Sequence, residues 1–536
     1  MRPSEAWAAA QTERRFMSET DYDRVDYGGN AQFYTSPNLI AGLGRWLGVP
    51  CALPDKARVL ELGCGNAANL IPLAWYWPNA EFVGVDLAQL PITQGTARAQ
   101  ALGLRNLRLE QADVMALDPA KIGQFDYVIA HGLFSWVPAP VRESVLRLIA
   151  NVLTPMGVGY VSYNAYPGCR IRHLVREMMH FHLGDRAYTI DSAHAAWDML
   201  GSVSKVPDPQ RPLFFDSFAS EVTSSMDQGV NYLFHDDLSP NNQPYYLHEF
   251  GRMAAGAGLS YLGDADCSMM FEAVGAPALT AWLDEMSGGD WLRRQQYLDF
   301  AIGTRFRRSL VCRARDGVLP APSLERLDGI RFFSEYQPVG QCNPADESQA
   351  TFRNASGRTI NTTTPTLKSV LAMLDLSPTG TIGVAELASR FTGAPPQVAL
   401  SGARSVLDGL VRSSLAHTVA QDPPGCLVPD RTLSQVAPIS ALTRESLLTS
   451  QTLVDNVNRG FQLSEPWVAQ LLLEFDGKVS ADHLEARVKE LSGASIGARA
   501  PMELGSGLLG LIEMLSHRGM CAPTTDNGHA QPASGA

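Results

Sequence analysis

Five short apolar runs, separated by segments that favour helices, occupy the stretch between residues 57 and 163. The runs are rich in Val, Leu, Ile and Tyr, which favour strands. Strands joined by helical crossovers lie parallel, and helices cover the sheet on both faces. The sequence therefore predicts an α/β, doubly wound domain over residues 46–185. Its five strands are predicted at Ala57–Leu62, Glu81–Val85, Leu107–Glu110, Tyr127–Ala130 and Val158–Tyr163.

Length and charge limit what the whole protein can be. The chain has 536 residues, which at about 150 residues per domain allows three or four domains. There are 43 Lys and Arg residues against 55 Asp and Glu residues, a net charge of −12 that disfavours binding to a phosphate backbone. A composition that is 45% hydrophobic and 18% charged is typical of folded proteins. We therefore expect a mostly folded protein with no nucleic-acid partner.

The sequence predicts neither a membrane span nor a metal site. The apolar stretch at 144–161 is interrupted by Arg147, Asn151 and Pro155, whereas a span needs roughly 18 to 20 apolar residues. Charged residues from Glu13 onward leave no room for the apolar core of a secretory leader. The eight cysteines are scattered without a CxxC pair, so neither zinc nor a disulfide framework is indicated. We expect a cytoplasmic protein with reduced thiols.

The pattern changes outside the predicted α/β domain. Residues 1–45 carry several aromatic residues and are predicted to pack on that domain as a flank or lid. Residues 186–335 have apolar residues at helical spacing and are predicted to form a mainly helical middle domain. Residues 345–518 combine a hairpin around Gly357 with several short helices, which predicts a winged-helix-like α+β domain. The Thr-, Pro- and Gly-rich tail at 519–536 is predicted to be disordered.

A glycine-containing turn follows the first predicted strand. The segment Gly63-Cys64-Gly65 leads into a predicted helix, and glycines at such a turn let a ligand approach the backbone. Alone, Gly63, Gly65 and Ala68 also fit the G-x-G-x-x-G/A pattern of dinucleotide binding, or a purely structural tight turn. The turn by itself leaves these alternatives open.

Three carboxylates narrow the choice of ligand. Asp86 ends the second predicted strand, where an acidic side chain can accept hydrogen bonds from ribose hydroxyls. Glu61 immediately precedes the glycines, and a carboxylate there would repel a pyrophosphate but suit a cationic tail. Asp113 follows the third strand, where a plain surface position is the alternative. Together these residues favour a positively charged adenosyl ligand over a dinucleotide.

At these residues the chain resembles the class I S-adenosylmethionine-dependent methyltransferases, which have a Rossmann-like fold and the cofactor loop E/D-x-G-x-G-x-G. Ala67 stands where the family has its third glycine. The resemblance implies S-adenosyl-L-methionine as cofactor, with the residue matching Asp86 on the ribose and the one matching Asp113 beside the adenine. The implied cofactor-binding residues are Tyr27, Glu61, Gly63, Cys64, Gly65, Asp86, Leu87, Ala112, Asp113, Val114 and His131.

Longer stretches resemble one subgroup of that family. The segments 125–138 and 158–168 are similar to bacterial methyltransferases that carry a methyltransferase regulatory domain, and the segments 234–262 and 297–310 resemble the regulatory domain itself. The same architecture, with a winged-helix-like C-terminal domain, occurs in bacterial protein-lysine methyltransferases that modify outer-membrane proteins. The resemblance implies a protein substrate methylated on lysine.

The residues after the fourth and fifth predicted strands are expected to surround the transferred methyl group, because ligands bind at the carboxyl ends of such sheets. Aromatic faces there can hold a cation, and an amide can orient an amine. Each aromatic side chain has core packing as its alternative, and His131 could be a base, a cofactor contact or a structural histidine. The expected residues are His131, Trp136, Tyr163, Asn164 and Tyr166.

Two other clusters are given structural roles. His173, His180 and His182 share one predicted helix but lack convergent acids or a cysteine pair, so surface or packing positions are favoured over metal ligands. Arg305, Arg307 and Arg308 form a basic group that could receive an acidic segment, although a structural or solvated face is the favoured reading.

The leading hypothesis is therefore protein-lysine methylation that depends on S-adenosylmethionine. One alternative is a small-molecule methyltransferase whose middle domain holds the acceptor. The other is a non-catalytic scaffold, since Ala67 and Ala68 replace family glycines. The acceptor, the number of methyl groups transferred and the oligomeric state are left open by the sequence.

Overall fold

The structure is a computed structural model. It describes residues 21–25, 28–203, 212–227, 229–272, 276–314, 322–354, 357–375, 377, 380–425, 439–449, 452–463, 466–476, 479, 481–491, 511, 515 and 518–521. Within these ranges, no helix has the length and apolar character that crossing a bilayer requires.

A seven-stranded sheet forms the centre of the molecule, in the order β3-β2-β1-β4-β5-β7-β6. The first five strands are parallel, while β7 pairs antiparallel with β5 and β6 pairs antiparallel with β7. The seven strands are β1 (Arg58–Leu62), β2 (Glu81–Asp86), β3 (Leu107–Gln111), β4 (Phe125–Ala130), β5 (Leu153–Asn164), β6 (Leu259–Asp264) and β7 (Phe306–Arg313).

The five predicted strands are confirmed, since each overlaps one of the strands β1 to β5. The strands β1, β2, β4 and β5 are mostly buried because helices cover both faces of the sheet there, whereas the edge strand β3 is half-buried or exposed. The expectation of a mainly helical middle region missed β6 and β7, which extend the sheet. Because β7 pairs along β5 from Val158 to Asn164, the middle region and the α/β domain share one continuous sheet.

Helices flank this sheet and build the remaining regions. The described α-helices are α1 (Asp21–Arg24), α2 (Pro37–Trp46), α3 (Leu70–Tyr76), α4 (Gln89–Ala101), α5 (Pro119–Ile122), α6 (Ala139–Val152), α7 (Arg170–Leu183), α8 (Ile190–Val203), α9 (Pro212–Asp227), α10 (Val230–Tyr232), α11 (Leu247–Gly256), α12 (Pro277–Ser287), α13 (Trp291–Ile302), α14 (Pro365–Asp375), α15 (Val384–Ala388), α16 (Pro396–Arg412), α17 (Ala441–Thr449), α18 (Pro466–Leu473) and α19 (Ala481–Leu491).

Three small sheets lie in the C-terminal half. One contains the hairpin that the sequence predicts around Gly357, with Ala350 opposite Thr362. A second lies beside α14 and α15, in the region predicted to be winged-helix-like. Their strands are β8 (Arg331–Phe333), β9 (Gln337–Pro338), β10 (Ala350–Arg353), β11 (Thr359–Thr362), β12 (Ile382–Gly383), β13 (His417–Val419), β14 (Thr452–Val454) and β15 (Gly460–Gln462).

The N-terminal segment packs deep in the fold. Helix α2 buries Ile40 and Trp46 in the same apolar cluster as β1 and α16. The Asn38 side chain accepts from the amides of Ala420 and Gln421, at 3.0 and 3.1 Å, and thereby joins α2 to the chain after β13. The N-terminal and C-terminal segments therefore meet on one side of the sheet.

Candidate cofactor and acceptor site

The turn after β1 uses three residues with left-handed backbone. Gly63 has a φ of 74°, Gly65 of 53° and Ala67 of 58°, and the amides of Gly63 and Cys64 both donate to the carbonyl of Val85. Ala67 therefore adopts the conformation that glycine prefers, with its methyl group fully buried. The replacement of the third glycine leaves the turn intact.

Asp86, at the end of β2, is bound to this turn. Its Oδ2 accepts from the Gly65 amide at 2.8 Å and its Oδ1 from the Ala88 amide at 2.9 Å. Burial raises the pKa of Asp86, while these amide hydrogen bonds oppose the rise. Leu87, the next residue, is 56% exposed and leaves an apolar surface beside the carboxylate.

Glu61 is a buried carboxylate with one oxygen available. Asn69 Nδ2 donates to Oε1 at 2.9 Å, whereas Oε2 has no hydrogen-bond partner among the described residues. Burial raises the pKa of Glu61 to about 8, because the charged form loses hydration and no cation replaces it. A buried, unpartnered carboxylate oxygen costs free energy unless a ligand satisfies it.

The loop after β3 lies beside Asp86. The amide of Ala112 donates to the Asp86 carbonyl at 2.8 Å, and Ala112, Asp113 and Val114 are half-buried. The Asp113 Oδ1 accepts from the Met115 amide at 2.8 Å and caps a short 3-10 turn. Asp113 therefore has a structural role at the edge where β1, β2 and β3 end.

His131, directly after β4, faces β5 and β7. Its Nδ1 lies 3.0 Å from the Tyr160 hydroxyl, and the Phe306 ring lies edge-on to it. Burial and the nearby Arg308 lower the pKa of His131 to about 4, so the imidazole is neutral at pH 7. The Arg308 guanidinium lies over the rings of Tyr34 and Phe306. The sequence reading missed Tyr34, Tyr160 and the proximity of Arg308.

The other residues expected at the reaction differ in their surroundings. The half-buried Trp136 has an Nε1 with no partner among the described residues. Asn164 is buried, and its Nδ2 donates to Asn242 Oδ1 at 3.0 Å. Tyr163 does not reach this edge, because its ring stacks on Phe250 in the core and its hydroxyl lies 3.0 Å from Ser309 Oγ.

Tyr166 lines a cavity of about 420 Å³ beyond the carboxyl end of β5. The Arg170 guanidinium lies 4.0 Å from the centroid of the Tyr166 ring, and the Tyr246 ring is packed beside it. The cavity lies between the segment that follows β5 and the part of the middle region that leads into helix α11. Its lining consists of Tyr166, Arg170, Gln243, Pro244, Tyr245, Tyr246, Glu249, Arg252 and Met253.

Tyr27 falls outside the described residues, but its neighbours approach this edge. Asp23 Oδ1 accepts from the Leu90 amide at 2.8 Å, at the start of α4. His235 Nε2 lies 2.8 Å from the Val25 carbonyl. The segment 21–25 thus bridges the end of β2 and the middle region.

Most residues of the basic and histidine clusters make ion pairs or hydrogen-bond contacts within the fold. Arg305 pairs with Glu221, Arg307 with Asp264 and Asp299, and Arg308 with Asp266. His173 lies 3.4 Å from the Tyr166 hydroxyl, and His180 contacts Arg176. In the part of the chain that the structure describes, no three His, Cys, Asp or Glu side chains converge to hold a metal ion.

Two family models match the chain over these same elements. The model described as a methyltransferase domain matches residues 59–157, from β1 into β5, and the predicted methyltransferase regulatory domain matches residues 229–313, which end with β7. The chain contains a class I methyltransferase domain followed by a methyltransferase regulatory domain. The cofactor of the methyltransferase domain is S-adenosylmethionine.

Two relatives of the chain come from Rickettsia prowazekii. The uncharacterized protein RP789 of Rickettsia prowazekii is 30% identical over 356 residues, 65% of this chain and 64% of that protein. The protein RP028 of the same organism is 27% identical over 44% of this chain and 93% of its own length. The matched part of the chain thus spans slightly less than two thirds of RP789.

The fold extends beyond the methyltransferase domain. A solved structure of PKMT2 from Rickettsia typhi in complex with AdoHcy matches with a TM-score of 0.76, over 92% of this chain and 99% of that one, at 21% identity. The regulatory and C-terminal regions therefore share their arrangement with that protein.

The residues at the carboxyl edge of the sheet fit an adenosyl sulfonium cofactor. The unpartnered Glu61 Oε2 suits an ammonium group, since it is buried and lacks a cation. At Gly65 an added Cβ would meet no atom within 4 Å, so the space above the turn is open. The methyltransferase domain thus offers an acceptor for positive charge and room beside the backbone.

Proposed function

We propose that the protein transfers methyl groups from S-adenosylmethionine to lysine side chains of a protein substrate. The observation that carries the proposal is the fold similarity to PKMT2, a protein lysine methyltransferase, through the regulatory and C-terminal regions as well as the methyltransferase domain. The left-handed Ala67, which preserves the glycine turn, weighs against a scaffold that has lost its cofactor loop.

In this proposal the cofactor is held by side chains at the ends of β1, β2 and β3. Glu61 Oε2 binds the ammonium group of the cofactor's methionine moiety, and Asp86 binds the ribose hydroxyls. Gly63, Cys64 and Gly65 bring the backbone close, and Leu87, Ala112, Asp113 and Val114 line the adenine side. S-adenosylmethionine, when bound, supplies an electrophilic methyl group on its sulfonium.

The acceptor side needs a neutral amine, whereas lysine has an ordinary pKa of about 10.4. His131 is a weak base for this purpose, because its pKa is about 4. We therefore assign His131 to alignment of the cofactor, together with Tyr160. Desolvation in an aromatic environment lowers the pKa of a lysine, which then releases its proton to solvent. Trp136, Asn164 and Tyr166 are the proposed acceptor contacts.

The cavity beside Tyr166 supports a macromolecular acceptor over a small one. Its Tyr166 and Tyr246 side chains are half-buried and Arg170 at its rim is exposed, so an extended segment can enter from solvent. Tyrosine faces can hold an alkylammonium by cation–π attraction worth about 0.5 to 2 kcal/mol.

The test uses the purified protein with methyl-labelled S-adenosylmethionine and a bacterial lysate separated into protein and metabolite pools. We expect label in the protein pool, recovered as methyl-lysine after hydrolysis, and less label with the Asp86→Ala variant at a limiting cofactor concentration. Label confined to metabolites would favour the small-molecule alternative. No S-adenosylhomocysteine formation from either pool would refute methyl transfer.

A further inference from the structure

The orientation of Glu61 depends on one amide, that of Asn69 at the start of α3. Asn69 Nδ2 donates to Glu61 Oε1 at 2.9 Å and leaves Oε2 as the only oxygen of that carboxylate without a partner among the described residues. An amide rotated by half a turn would present its oxygen to the carboxylate instead. The contacts that orient the Asn69 amide therefore determine whether its nitrogen or its oxygen faces Glu61.

Three donors fix that amide from the opposite side. Asn69 Oδ1 accepts from the Gln32 amide at 2.9 Å, from Asn458 Nδ2 at 2.8 Å and from Thr35 Oγ1 at 3.0 Å, where the single hydroxyl proton is shared with the Gln32 carbonyl at 2.8 Å. Two of these donors come from the N-terminal segment, whereas Asn458 lies 389 residues further along the chain. All three favour the orientation in which Nδ2 faces Glu61.

Asn458 is held in place by the hairpin turn between β14 and β15. It has a left-handed φ of 66°, it is 1% exposed, and its amide donates to the Asp455 carbonyl at 2.9 Å. Arg459, the next residue, pairs with Glu335 at 3.1 Å and lies over the Phe33 ring. The turn is thus attached both to the C-terminal region and to the N-terminal segment.

The side-chain amide of Asn458 is only partly satisfied by hydrogen bonds. Its Oδ1 is buried and has no hydrogen-bond partner among the described residues, which carries a free-energy cost. Its Nδ2 also lies 3.2 Å from the Gln32 carbonyl, so the amide binds the two segments that meet at Asn69. A buried amide that is only half satisfied, and aimed at the residue behind Glu61, points to a role at the cofactor site.

We propose that Asn458 is a positioning residue for the cofactor site: through Asn69 it orients Glu61, so that affinity for S-adenosylmethionine depends on the docking of the C-terminal hairpin. The inference rests on the role of Glu61 under the proposed function. Asn458 does not touch the cofactor, and it acts at a distance of two hydrogen bonds. The C-terminal region is then a determinant of cofactor binding rather than a separate substrate module.

The test is calorimetric binding of S-adenosylhomocysteine to the full-length protein between pH 6 and pH 9. Asn458→Gly retains the left-handed turn and removes only the side-chain amide. We expect it to bind at least 10-fold more weakly near pH 7. The Asn69 hydrogen bond lowers the pKa of Glu61, so a weaker bond raises that pKa. The pH above which the variant binds tightly should therefore rise. The difference in affinity between the variant and the wild type should be smaller at pH 9, where Glu61 is ionised in both.

Two further variants separate positioning from loss of folding. Asn456→Ala removes an amide from the same turn, whose Nδ2 donates to the Pro424 carbonyl, and should bind as the wild type does. Asn69→Ala should reproduce the Asn458→Gly defect, and the double variant should be no worse than either. An unchanged affinity and pH profile for Asn458→Gly, or an equal loss for Asn456→Ala, would overturn the inference. If the wild type fails to bind, the proposed function falls and this inference with it.

Discussion

Two buried ionisable side chains in the same sheet differ in whether they have a partner of opposite charge. Arg307 on β7 is fully buried, and its guanidinium lies 2.5 Å from Asp299 and 3.4 Å from Asp264. Glu61 on β1 is also buried, yet its contact is a neutral amide and one of its oxygens is unpartnered among the described residues. The buried charge on β7 is thus paired with carboxylates of the fold, whereas the buried carboxylate on β1 has no cationic partner among the described residues.

The difference separates a charge that serves the fold from one that serves a ligand. A buried ion pair with its partners in place is nearly neutral for stability, and its removal is costly because the partners are left charged. A buried carboxylate without a cation lowers stability until a ligand supplies the missing charge. The two groups should therefore respond in opposite directions to neutralisation.

Arg307→Met should give the largest effect. The variant leaves Asp264 and Asp299 buried without their cation, which should lower the free energy of unfolding by about 3 to 5 kcal/mol. Chemical denaturation measures the change. Arg108→Met on β3 is the matched control, since its pair with Glu110 is exposed and should contribute no more than about 1 kcal/mol. Equal losses in the free energy of unfolding for the two variants would contradict a stabilising role for the buried Arg307 ion pairs.

Glu61→Gln should stabilise the cofactor-free protein while abolishing cofactor binding. The pKa of Glu61 is about 8 in the fold, against an ordinary value of 4.5, so the unfolded chain loses the proton first and stability falls as pH rises from 4.5 to 8. Glutamine removes this penalty, a gain of about 4 kcal/mol at pH 8 and less than about 1 kcal/mol at pH 5. Thermal unfolding at both values tests it, and an equal gain at pH 5 would refute the titration.

Asp86→Ala should weaken S-adenosylhomocysteine binding by about 1 to 3 kcal/mol, the usual cost of losing hydrogen bonds to a charged group. Calorimetry measures the change. Asp118→Ala, at an exposed helix cap, is the control and should bind normally. An unchanged affinity for Asp86→Ala would contradict its proposed role at the ribose.

Ala67→Gly should have the smallest effect. Relief of the left-handed conformation contributes about 1 kcal/mol, and loss of the buried methyl costs about 0.8 kcal/mol, so stability should change by less than about 0.5 kcal/mol. Cofactor affinity should stay within about twofold. A tenfold gain in affinity would show that the alanine obstructs the loop.

The sequence signals that succeeded were local ones. The strands β1, β2, β4 and β5 were predictable from their apolar runs and β3 from its place in the alternation of strands and helices, and Glu61, Gly63 and Asp86 lie within 26 residues of one another. Tyr163 was placed at the reaction because it lies near the end of β5. Alternate residues on a strand face opposite sides, and the face that meets His131 belongs to Tyr160 rather than Tyr163.

Contacts between distant segments could not be predicted. Asn458 has no motif around it, and its contact with Asn69 exists only once the C-terminal hairpin packs against the N-terminal segment. Similarly, the segment 259–264 alternates like a strand, but only tertiary pairing shows that it extends the central sheet through β7. Both features depend on which surfaces meet, and a single sequence does not encode that information locally.

The pairing of β5 with β7 has a consequence for synthesis of the chain. β5 ends at Asn164 and its neighbour is complete only at Arg313, so at about 5 to 20 residues per second the ribosome needs roughly 7 to 30 s to supply it. During that interval β5 is an apolar edge strand with unpaired backbone groups, the kind of surface that aggregates. An isolated fragment ending near residue 185 would keep this edge exposed, and we expect it to aggregate.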